Sequence, residues 1–266
     1  MEFVAVALIS TTLLCLGMAG SIETGYRMGK RRLKKYPESK FEGSGAVESS
    51  IFGILGLILA FTFTGTLSRY ENRINLVLKE ANAIGTAYYR LDLLSKNDQD
   101  KLRPLYREYV QSRINIFENY ENRQLSNSYF RQGLKLQGQI WEIANASVLL
   151  DKNPGIIILV LSSTNDMIDV ANERLQATRT HPPMIVYILL FTLALASAFL
   201  VGQSMSINQK RPLFYMVIFC VTISAITYII LDLEYPRLGL IKIDLGDKVL
   251  VETLKNIQGT SKNRFP

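Results

Sequence analysis

The sequence predicts an all-α membrane protein with four transmembrane helices and an extramembrane helical bundle between spans two and three. Apolar residues make up 48% of the 266-residue chain, but it is their grouping into blocks that carries the prediction. Crossing the hydrocarbon core takes roughly 20 consecutive apolar residues. Four blocks qualify, at residues 3–20, 49–68, 183–204 and 212–231, and the first two contain no charged residue.

These spans divide the chain into four parts. Residues 1–67 hold spans one and two with a basic connecting loop, and residues 68–182 form the bundle. Residues 183–231 hold spans three and four, and residues 232–266 form an extramembrane tail that we expect to pack on the bundle.

The first block is a span rather than a cleaved signal peptide. A signal peptide begins with positive charge, whereas Glu2 precedes this block and the basic residues follow it, as in a signal anchor. The two cysteines, Cys15 and Cys220, both fall inside apolar blocks, where a free cysteine behaves as a small hydrophobe. No disulfide frame or zinc site is expected.

The bundle is predicted from helical periodicity. Apolar residues recur at three and four spacing beyond span two, so one helix is expected to leave the membrane and run to about Leu94. Further helices are expected at about 100–120, 126–149 and 156–177, bounded by turn signals. Their expected inward residues include Leu78, Tyr88, Tyr109, Leu134, Ile140 and Trp141.

Two shorter features complete the fold. Residues 156–161 are apolar on all sides but too few to span, so we expect them in the bundle core. In the tail we expect a short strand at 239–243 and an amphipathic helix at 247–257.

Lysine and arginine near span ends favour the cytoplasmic side. Span one is followed by seven of them and preceded by none: Arg27, Lys30, Arg31, Arg32, Lys34, Lys35 and Lys40. With Lys210 and Arg211 the short loops carry nine, against seven on the other face: Arg69, Arg73, Lys79, Arg174, Arg179, Arg237 and Lys242. The charge rule therefore places the amino terminus, the bundle and the tail outside the cytoplasm.

The basic run after span one has two interpretations. In a soluble protein it would suit nucleic acid, but beside a span it sets topology and contacts anionic lipid head groups. We expect the lipid bilayer, and no nucleic acid, as its partner.

Span two carries the most informative pattern. Small residues share one helical face, and such a face lets backbones approach closely in lipid. They are Ser49, Gly53, Gly56, Ala60 and Thr64. Two interpretations stand: packing within one subunit, or packing around the axis of a homo-oligomer. The hydroxyls near residue 64 either line a wet passage or bond back to helix carbonyls.

Carboxylates flank the spans, with Glu48 before span two and Asp232 and Glu234 after span four. At a membrane mouth they could concentrate cations. Alternatively they cap helices or pair with Arg69 or Arg237. No ionisable residue lies at mid-span, which disfavours a proton relay or a coupled transporter.

No enzyme motif is present. The one histidine, His181, stands before two prolines, and there is no phosphate-binding loop, dinucleotide fingerprint or nucleophile elbow. We expect no catalytic residue, no cofactor and no resident metal. Glu80, Asp92 and Asp166 could form a metal set only if the fold brings them together.

Several motifs resemble the bestrophin-like domain family of bacterial membrane proteins over nearly the whole chain. They comprise residues 60–63 (AFTF), 69–73 (RYENR), 80–92 (EANAIGTAYYRLD), 165–169 (NDMID), 181–183 (HPP) and 232–241 (DLEYPRLGLI). Among their members are Arg69, Arg73, Glu80, Asn82, Asp232, Glu234 and Arg237. The core Glu-Ala-Asn-Ala-Ile-Gly-Thr-Ala is fairly specific to that family.

The resemblance implies a distant relation to bestrophins, which are pentameric ion channels whose second span lines the pore and continues as a helix. It therefore implies that span two faces an axis. The chain lacks counterparts of the bestrophin aromatic neck and acidic calcium clasp, and ion selectivity is not carried over. The resemblance also implies a cytoplasmic bundle, against the charge rule.

Two functions follow. The first is an oligomeric ion channel of the inner cell membrane, with span two lining the pore and small inorganic ions passing. The alternative is a non-conducting membrane sensor or scaffold whose helical domain binds a partner.

Overall fold

The computed structural model describes residues 2–36, 44–149, 153–207, 213–241 and 244–259. Over these ranges the chain forms eight α-helices, one 3-10 turn and no strand, which confirms the predicted all-α class. The helices are α1 (Glu2–Lys35), α2 (Ser44–Arg90), α3 (Lys96–Glu118), α4 (Arg123–Leu149), α5 (Pro154–Arg179), α6 (Met184–Ile207), α7 (Leu213–Glu234) and α8 (Asp244–Gly259). The 3-10 turn, Leu91–Leu93, follows α2 directly.

Four helical stretches are long and apolar enough to cross a membrane. They are Val4–Lys35, Gly45–Leu93, Pro154–Ile207 and Leu213–Glu234, the third of which joins α5 and α6. Each of them overlaps one predicted block over all but at most one residue, and the chain is a multi-pass membrane protein.

The helices α1 and α2 are longer than a membrane is thick. With 34 and 47 residues, they extend over roughly 51 Å and 70 Å at 1.5 Å per residue, against roughly 30 Å of hydrocarbon. The uncharged part of α2 ends at Ser68, and the helix then continues through charged residues to Arg90. This confirms the prediction that the helix of span two continues unbroken beyond its apolar part.

The chain divides into two compact units. Unit 1 comprises Met1–Tyr70 and His181–Lys242, and so contains α1, the apolar part of α2, α6 and α7. Its core is aliphatic, with Leu14 and Met18 of α1, Leu55 of α2, Leu190 of α6 and Ile223 of α7 all buried. Both cysteines are free, and Cys220 lies in this core.

The closest helix approach in unit 1 is between α1 and α6, and it depends on glycine. A Cβ atom at Gly25 would overlap the carbonyl oxygen of Phe199, and one at Gly202 would overlap that of Ile22. One turn further, a Cβ atom at Gly29 would overlap the side-chain oxygen of Ser206. Small residues thus let these two backbones touch, as expected for helices packed in lipid.

Unit 2 comprises Glu71–Thr180 and Ile243–Pro266 and contains the helices that were expected to form a bundle. Its core gathers apolar residues of α2 to α5 around Tyr88, Tyr106 and Tyr109, each fully buried. The predicted turns delimit its helices: the Ser95 hydroxyl caps α3 by accepting from the amide of Asp98, and the Asn153 side chain caps α5. The tail helix α8 closes this core with Leu250, Leu254 and Ile257.

Three of the expected inward residues lie outside the core. Leu78, Leu134 and Trp141 are 38%, 47% and 37% exposed, because each lies on a helix face that the described residues cover only in part. The apolar stretch at the start of α5 is likewise only partly buried. Val160 lies in the core, whereas Ile158 is 66% exposed.

The predicted strand at 239–243 is wrong for the part that the structure describes, and residues 242–243 lie outside the described ranges. The amides of Leu240 and Ile241 donate to the carboxylate of Asp232 at 2.9 Å. Those donors are therefore not available to a strand ladder. The tail helix is longer than predicted, since it begins at Asp244 and ends at Gly259.

Candidate functional site

The candidate site is the exposed face of α2, defined by the small residues Ser49, Gly53, Gly56, Ala60 and Thr64. All five are exposed. Leu55, Leu59, Thr62 and Thr66 occupy the opposite side of the helix and are buried in unit 1. The helix therefore turns its larger, packing side inward and leaves its small side open.

The space beside this face is empty. A Cβ atom added at Gly53 or at Gly56 would have no atom of the described residues within 4 Å. Gly25 and Gly202 differ from these two glycines, because each already lies against the backbone of another helix of the chain. The small face of α2 is thus not explained by helix packing inside one subunit.

The hydroxyls of α2 are divided between the two sides. Thr62 is buried and bonds back to the carbonyl of Ile58 at 2.7 Å, as the simpler interpretation expected. Thr66 is fully buried and accepts from Arg69. Thr64 alone of the three is exposed, on the small face.

The exposed face continues beyond the apolar part of α2. At helical spacing, Ser68, Glu71, Asn75 and Asn82 are all exposed, whereas Val77, Ala81, Ile84 and Tyr88 on the other side are buried in unit 2. Asn82, a residue of the family motif, lies on this face. In unit 2, too, the exposed residues of α2 thus recur at helical spacing opposite its buried residues.

A buried ion pair ties the end of the apolar part of α2 to the end of α7. Arg69 donates from Nε and Nη2 to Glu234 Oε2 at 2.9 and 2.8 Å, and the Glu234 side chain has no exposed surface. His181 Nδ1 lies 3.0 Å from the other carboxylate oxygen, and its ring stacks on Tyr235 at 4.6 Å between centroids. Glu234 therefore links three segments of unit 1 by hydrogen bonds.

The other carboxylates predicted at the membrane mouth have different surroundings. Asp232 is 2% exposed and receives backbone amides, as described above. A Cβ at Gly239 would overlap this carboxylate, so only glycine fits the turn that wraps around it. Glu48 is half-buried in the first turns of α2, on the side away from the small face. Arg237 is half-buried in the turn that follows α7, five positions after Asp232.

In unit 2, Glu80 is the centre of a buried charge cluster. Its two oxygens accept from Arg113 Nε and Arg174 Nη1, each at 2.5 Å. Glu80 is fully buried, and the two arginines are 7% and 5% exposed. The Arg174 guanidinium also lies 3.9 Å from the centroid of the Phe117 ring, a cation–π contact.

The electrostatics of this cluster favour the charged forms. Burial by itself would raise the pKa of Glu80, but the positive charges of Arg113 and Arg174 lower it below its ordinary value. Burial would lower the pKa of Arg113, whereas the Glu80 carboxylate raises it. Burial, together with the Glu80 charge, raises the pKa of the adjacent Tyr109, which accepts from Gln137 at 2.9 Å.

Arg73 has a structural partner as well. Its guanidinium donates to the carbonyls of Ala177 and Thr180 at 3.1 Å, at the carboxyl end of α5. A cation suits this position because helix carbonyls leave partial negative charge there.

The fold does not assemble the conceivable metal set. Glu80 is occupied by its arginines, Asp92 pairs with Arg103, and Asp166 is exposed on α5. Over the described ranges no three His, Cys, Asp or Glu side chains come close enough to hold a metal ion.

Sequence reasoning missed three sets of residues. No local pattern identified Arg113 and Arg174 as the partners of Glu80, because they lie 33 and 94 positions away. No local pattern indicated that His181 pairs with Glu234 either. The glycines of α1 did have a signal, since Gly25 and Gly29 are four apart, the spacing typical of close helix packing.

A family model settles what kind of protein this is. The bestrophin-like domain matches residues 31–245. The chain belongs to the bestrophin-like family. The resemblance that was predicted from the motifs is thereby confirmed.

Solved structures share the fold of this bestrophin-like chain. Two single-residue variants of a bacterial bestrophin homologue from Klebsiella pneumoniae are similar, both at 14% identity, with TM-scores of 0.60 and 0.58. Each match covers 95% of this chain and 98% or 99% of the other. A variant of a protein described only as a membrane protein is similar at 13% identity, with a TM-score of 0.59 and coverage of 95% and 98%. No curated protein matches the chain.

Proposed function

We propose that this bestrophin-like chain is a homo-oligomeric ion channel of the inner cell membrane, and that α2 of each copy lines the pore. The pore-lining residues are Ser49, Gly53, Gly56, Ala60 and Thr64. The observation that carries the proposal is the open space beside Gly53 and Gly56. Among the described residues nothing approaches this face, so several copies of α2 placed around an axis could turn it towards a common passage.

The family and the fold support this proposal. The matched structures include variants of a bacterial bestrophin homologue, and they cover nearly the whole of this chain. The continuous exposed face of α2 supplies one wall of a passage that extends past the membrane.

Exposed apolar residues of unit 2 also favour an oligomer. Trp141 and Leu134 are 37% and 47% exposed on α4, Leu149 at its end is 72% exposed, and Ile158 of α5 is 66% exposed. Large apolar side chains left in water outside a membrane are typical of surfaces that contact another protein. A second copy of this chain would cover them.

The test compares two leucine substitutions. Gly56→Leu places bulk on the small face of α2, and we expect it to reduce the oligomer to monomers in detergent and to abolish ion flux into liposomes. Gly20→Leu is the matched control, because Gly20 is an exposed glycine of α1 whose Cβ would also meet nothing within 4 Å. The control is expected to retain both properties.

Two results would overturn the proposal. If Gly56→Leu keeps the oligomer and the flux, the small face of α2 contacts lipid. If the wild-type chain is a stable monomer and passes neither anions nor monovalent cations, the sensor or scaffold function is favoured instead.

A further inference from the structure

The last turns of α1 carry a cluster of positive charge, called the basic cluster below. It consists of four exposed residues, Lys30, Arg31, Lys34 and Lys35. Because they lie three or four positions apart, their side chains are neighbours on the helix surface. The preceding Arg27 is bound to Glu23 at 2.6 Å, whereas none of the four has a carboxylate partner in the part of the chain that the structure describes. The basic cluster is therefore not neutralised by the described residues.

The basic cluster lies on the side of α1 that faces away from the rest of unit 1. Gly25 and Gly29 are buried on the opposite side, where they lie against α6. At 3.6 residues per turn, Arg31 and Lys34 lie roughly opposite these two glycines. The packing of α1 on α6 therefore leaves the basic side chains free to meet a partner outside the unit.

The same side of α1 is apolar in the preceding turns. Its large exposed side chains there are Ile9, Leu13 and Leu16. Gly20 follows them, and a Cβ atom at this glycine would meet no described residue within 4 Å. One exposed side of the helix is thus first apolar and then basic. This order matches the two parts of an anionic phospholipid, its acyl chains and its charged head group.

The contact between α1 and α6 places the basic cluster just beyond the end of the hydrocarbon. Gly29 lies against Ser206, two positions after the apolar block of α6 ends at Ser204. Lys35 is six positions beyond Gly29, about 9 Å along the axis, and the head-group region of a bilayer is roughly 5–8 Å deep on each side. Side chains of a helix lean towards its amino terminus, so those of the basic cluster point back towards the apolar part of α1. They therefore reach the level of the lipid phosphates.

The start of α7 marks the same level independently. Only five residues separate the end of α6 at Ile207 from Leu213, the first residue of α7, so the two helix ends lie at the same end of unit 1. Phe214 and Tyr215 are 72% and 68% exposed there, and their rings meet edge to face at 5.8 Å between centroids. Exposed aromatic residues are typical of the interface between a membrane and water.

We infer that the exposed side of α1 is a binding site for an anionic phospholipid. Arg31 and Lys34 hold the head-group phosphate, Lys30 and Lys35 flank it, and the acyl chains lie along the exposed apolar residues of the same helix. The guanidinium of arginine binds two phosphate oxygens at once, and lysine adds a point charge beside it. The inference does not depend on the proposed channel, because a single copy of the chain supplies every residue of the site.

The experiment measures lipid binding to the purified full-length chain in a neutral detergent. Native mass spectrometry during a titration gives the dissociation constant of the first bound lipid. Phosphatidylglycerol and phosphatidylcholine with identical acyl chains are compared, so that only the head group differs. We expect wild type to bind phosphatidylglycerol at least tenfold more tightly than phosphatidylcholine.

The decisive variant combines Arg31→Gln with Lys34→Gln. We expect it to weaken the binding of phosphatidylglycerol more than tenfold, because each basic residue near an anionic lipid surface contributes a factor of about five. The binding of phosphatidylcholine should not change. Exchanging the two residues, Arg31→Lys with Lys34→Arg, keeps both charges and should retain the preference for phosphatidylglycerol.

The matched control combines Arg131→Gln with Lys135→Gln. Both residues are exposed on α4 in unit 2, so this variant loses the same two charges away from α1. It should bind both lipids as wild type does. Because all four substituted positions are exposed, no core is disturbed, and the thermal unfolding of each variant in detergent checks its fold.

Three results would overturn the inference. The first is equal affinity of wild type for the two lipids, and the second is unchanged affinity of the Arg31 and Lys34 variant for phosphatidylglycerol. An equal loss in the α4 variant would show an effect of net charge alone and would overturn it as well. If a single-stranded oligonucleotide binds wild type more tightly than phosphatidylglycerol does, the basic cluster serves a soluble polyanion instead of a lipid.

Discussion

At the scale of single residues, Glu80 shows how one position gains its meaning from distant partners. The sequence identified Glu80 as part of a motif and as a conceivable metal ligand. In the fold it is instead a fully buried carboxylate held by Arg113 and Arg174. The cluster joins α2, α3 and α5, so it fixes how three helices of unit 2 pack.

We expect Glu80→Gln to destabilise the protein strongly at neutral pH. The substitution leaves two buried guanidinium groups without their counter-charge, and breaking a buried ion pair in this way costs roughly 3–5 kcal/mol. Unfolding followed by the fluorescence of Trp141, the only tryptophan of the chain, would measure the loss within unit 2.

The acid dependence of stability gives a second readout of the same carboxylate. The pKa of Glu80 is lowered from 4.5 in the folded protein. Its contribution is therefore complete above about pH 4.5 and is lost as the pH falls through the lower folded pKa. Glu80→Gln should lack this part of the acid loss. Asp166→Asn on the exposed side of α5 serves as the control, and equal stability of the two variants would contradict the role assigned to Glu80.

At the scale of elements, α1 and α6 pack on each other through glycine. Gly25 and Gly202 lie at the contact, where a Cβ atom would overlap the backbone of the other helix. Small residues of the spans therefore occur in two settings in this chain. Those of α1 and α6 contact another helix, whereas Gly53 and Gly56 of α2 meet no described residue.

We expect Gly25→Ala and Gly202→Ala to destabilise unit 1. Each new methyl group would overlap a backbone carbonyl, which cannot move aside as a flexible side chain can, and overpacking of this kind typically costs about 1–3 kcal/mol. Thermal unfolding in detergent would measure the effect.

Gly20→Ala is the control for these substitutions, because its methyl group meets open space on the same helix as Gly25. If all three variants unfold at the same temperature, the helices do not pack through their glycines.

At the scale of the whole molecule, two lines of evidence on the orientation of the four spans conflict. The charge rule counts nine basic residues in the short loops against seven on the other face, whereas the bestrophin resemblance implies a cytoplasmic bundle. We base our prediction on the charges beside span one, because the first span usually dominates orientation. Several of those charges lie on α1 itself, where Lys30, Arg31 and Lys34 are exposed.

A reporter enzyme fused after Ile257 should therefore be active only outside the cytoplasm. A fusion after Lys35, at the end of α1, is the paired control and should be active only inside. The opposite pattern would contradict the charge rule and favour the orientation of bestrophins.

Local sequence patterns were sufficient to predict the class and the extent of the elements. Apolar blocks predicted the four spans, and periodicity predicted the long α2 and the bundle helices to within a few residues at most ends. These features depend on neighbours a few positions away, since each is a local match between side chains and their solvent. The motifs likewise sufficed to predict the family.

Which side of each helix is covered became known only from the packing of the folded chain. It showed that Glu80 and Glu234 are held by arginines rather than open to a ligand, and that Asp232 binds the amides that a strand would have needed. It also distinguished the glycines of α1 and α6 that contact another helix from Gly53 and Gly56 of α2, which contact none of the described residues. These pairings join residues far apart in the chain, and a side chain's partner there depends on how helices pack, which no local pattern specifies.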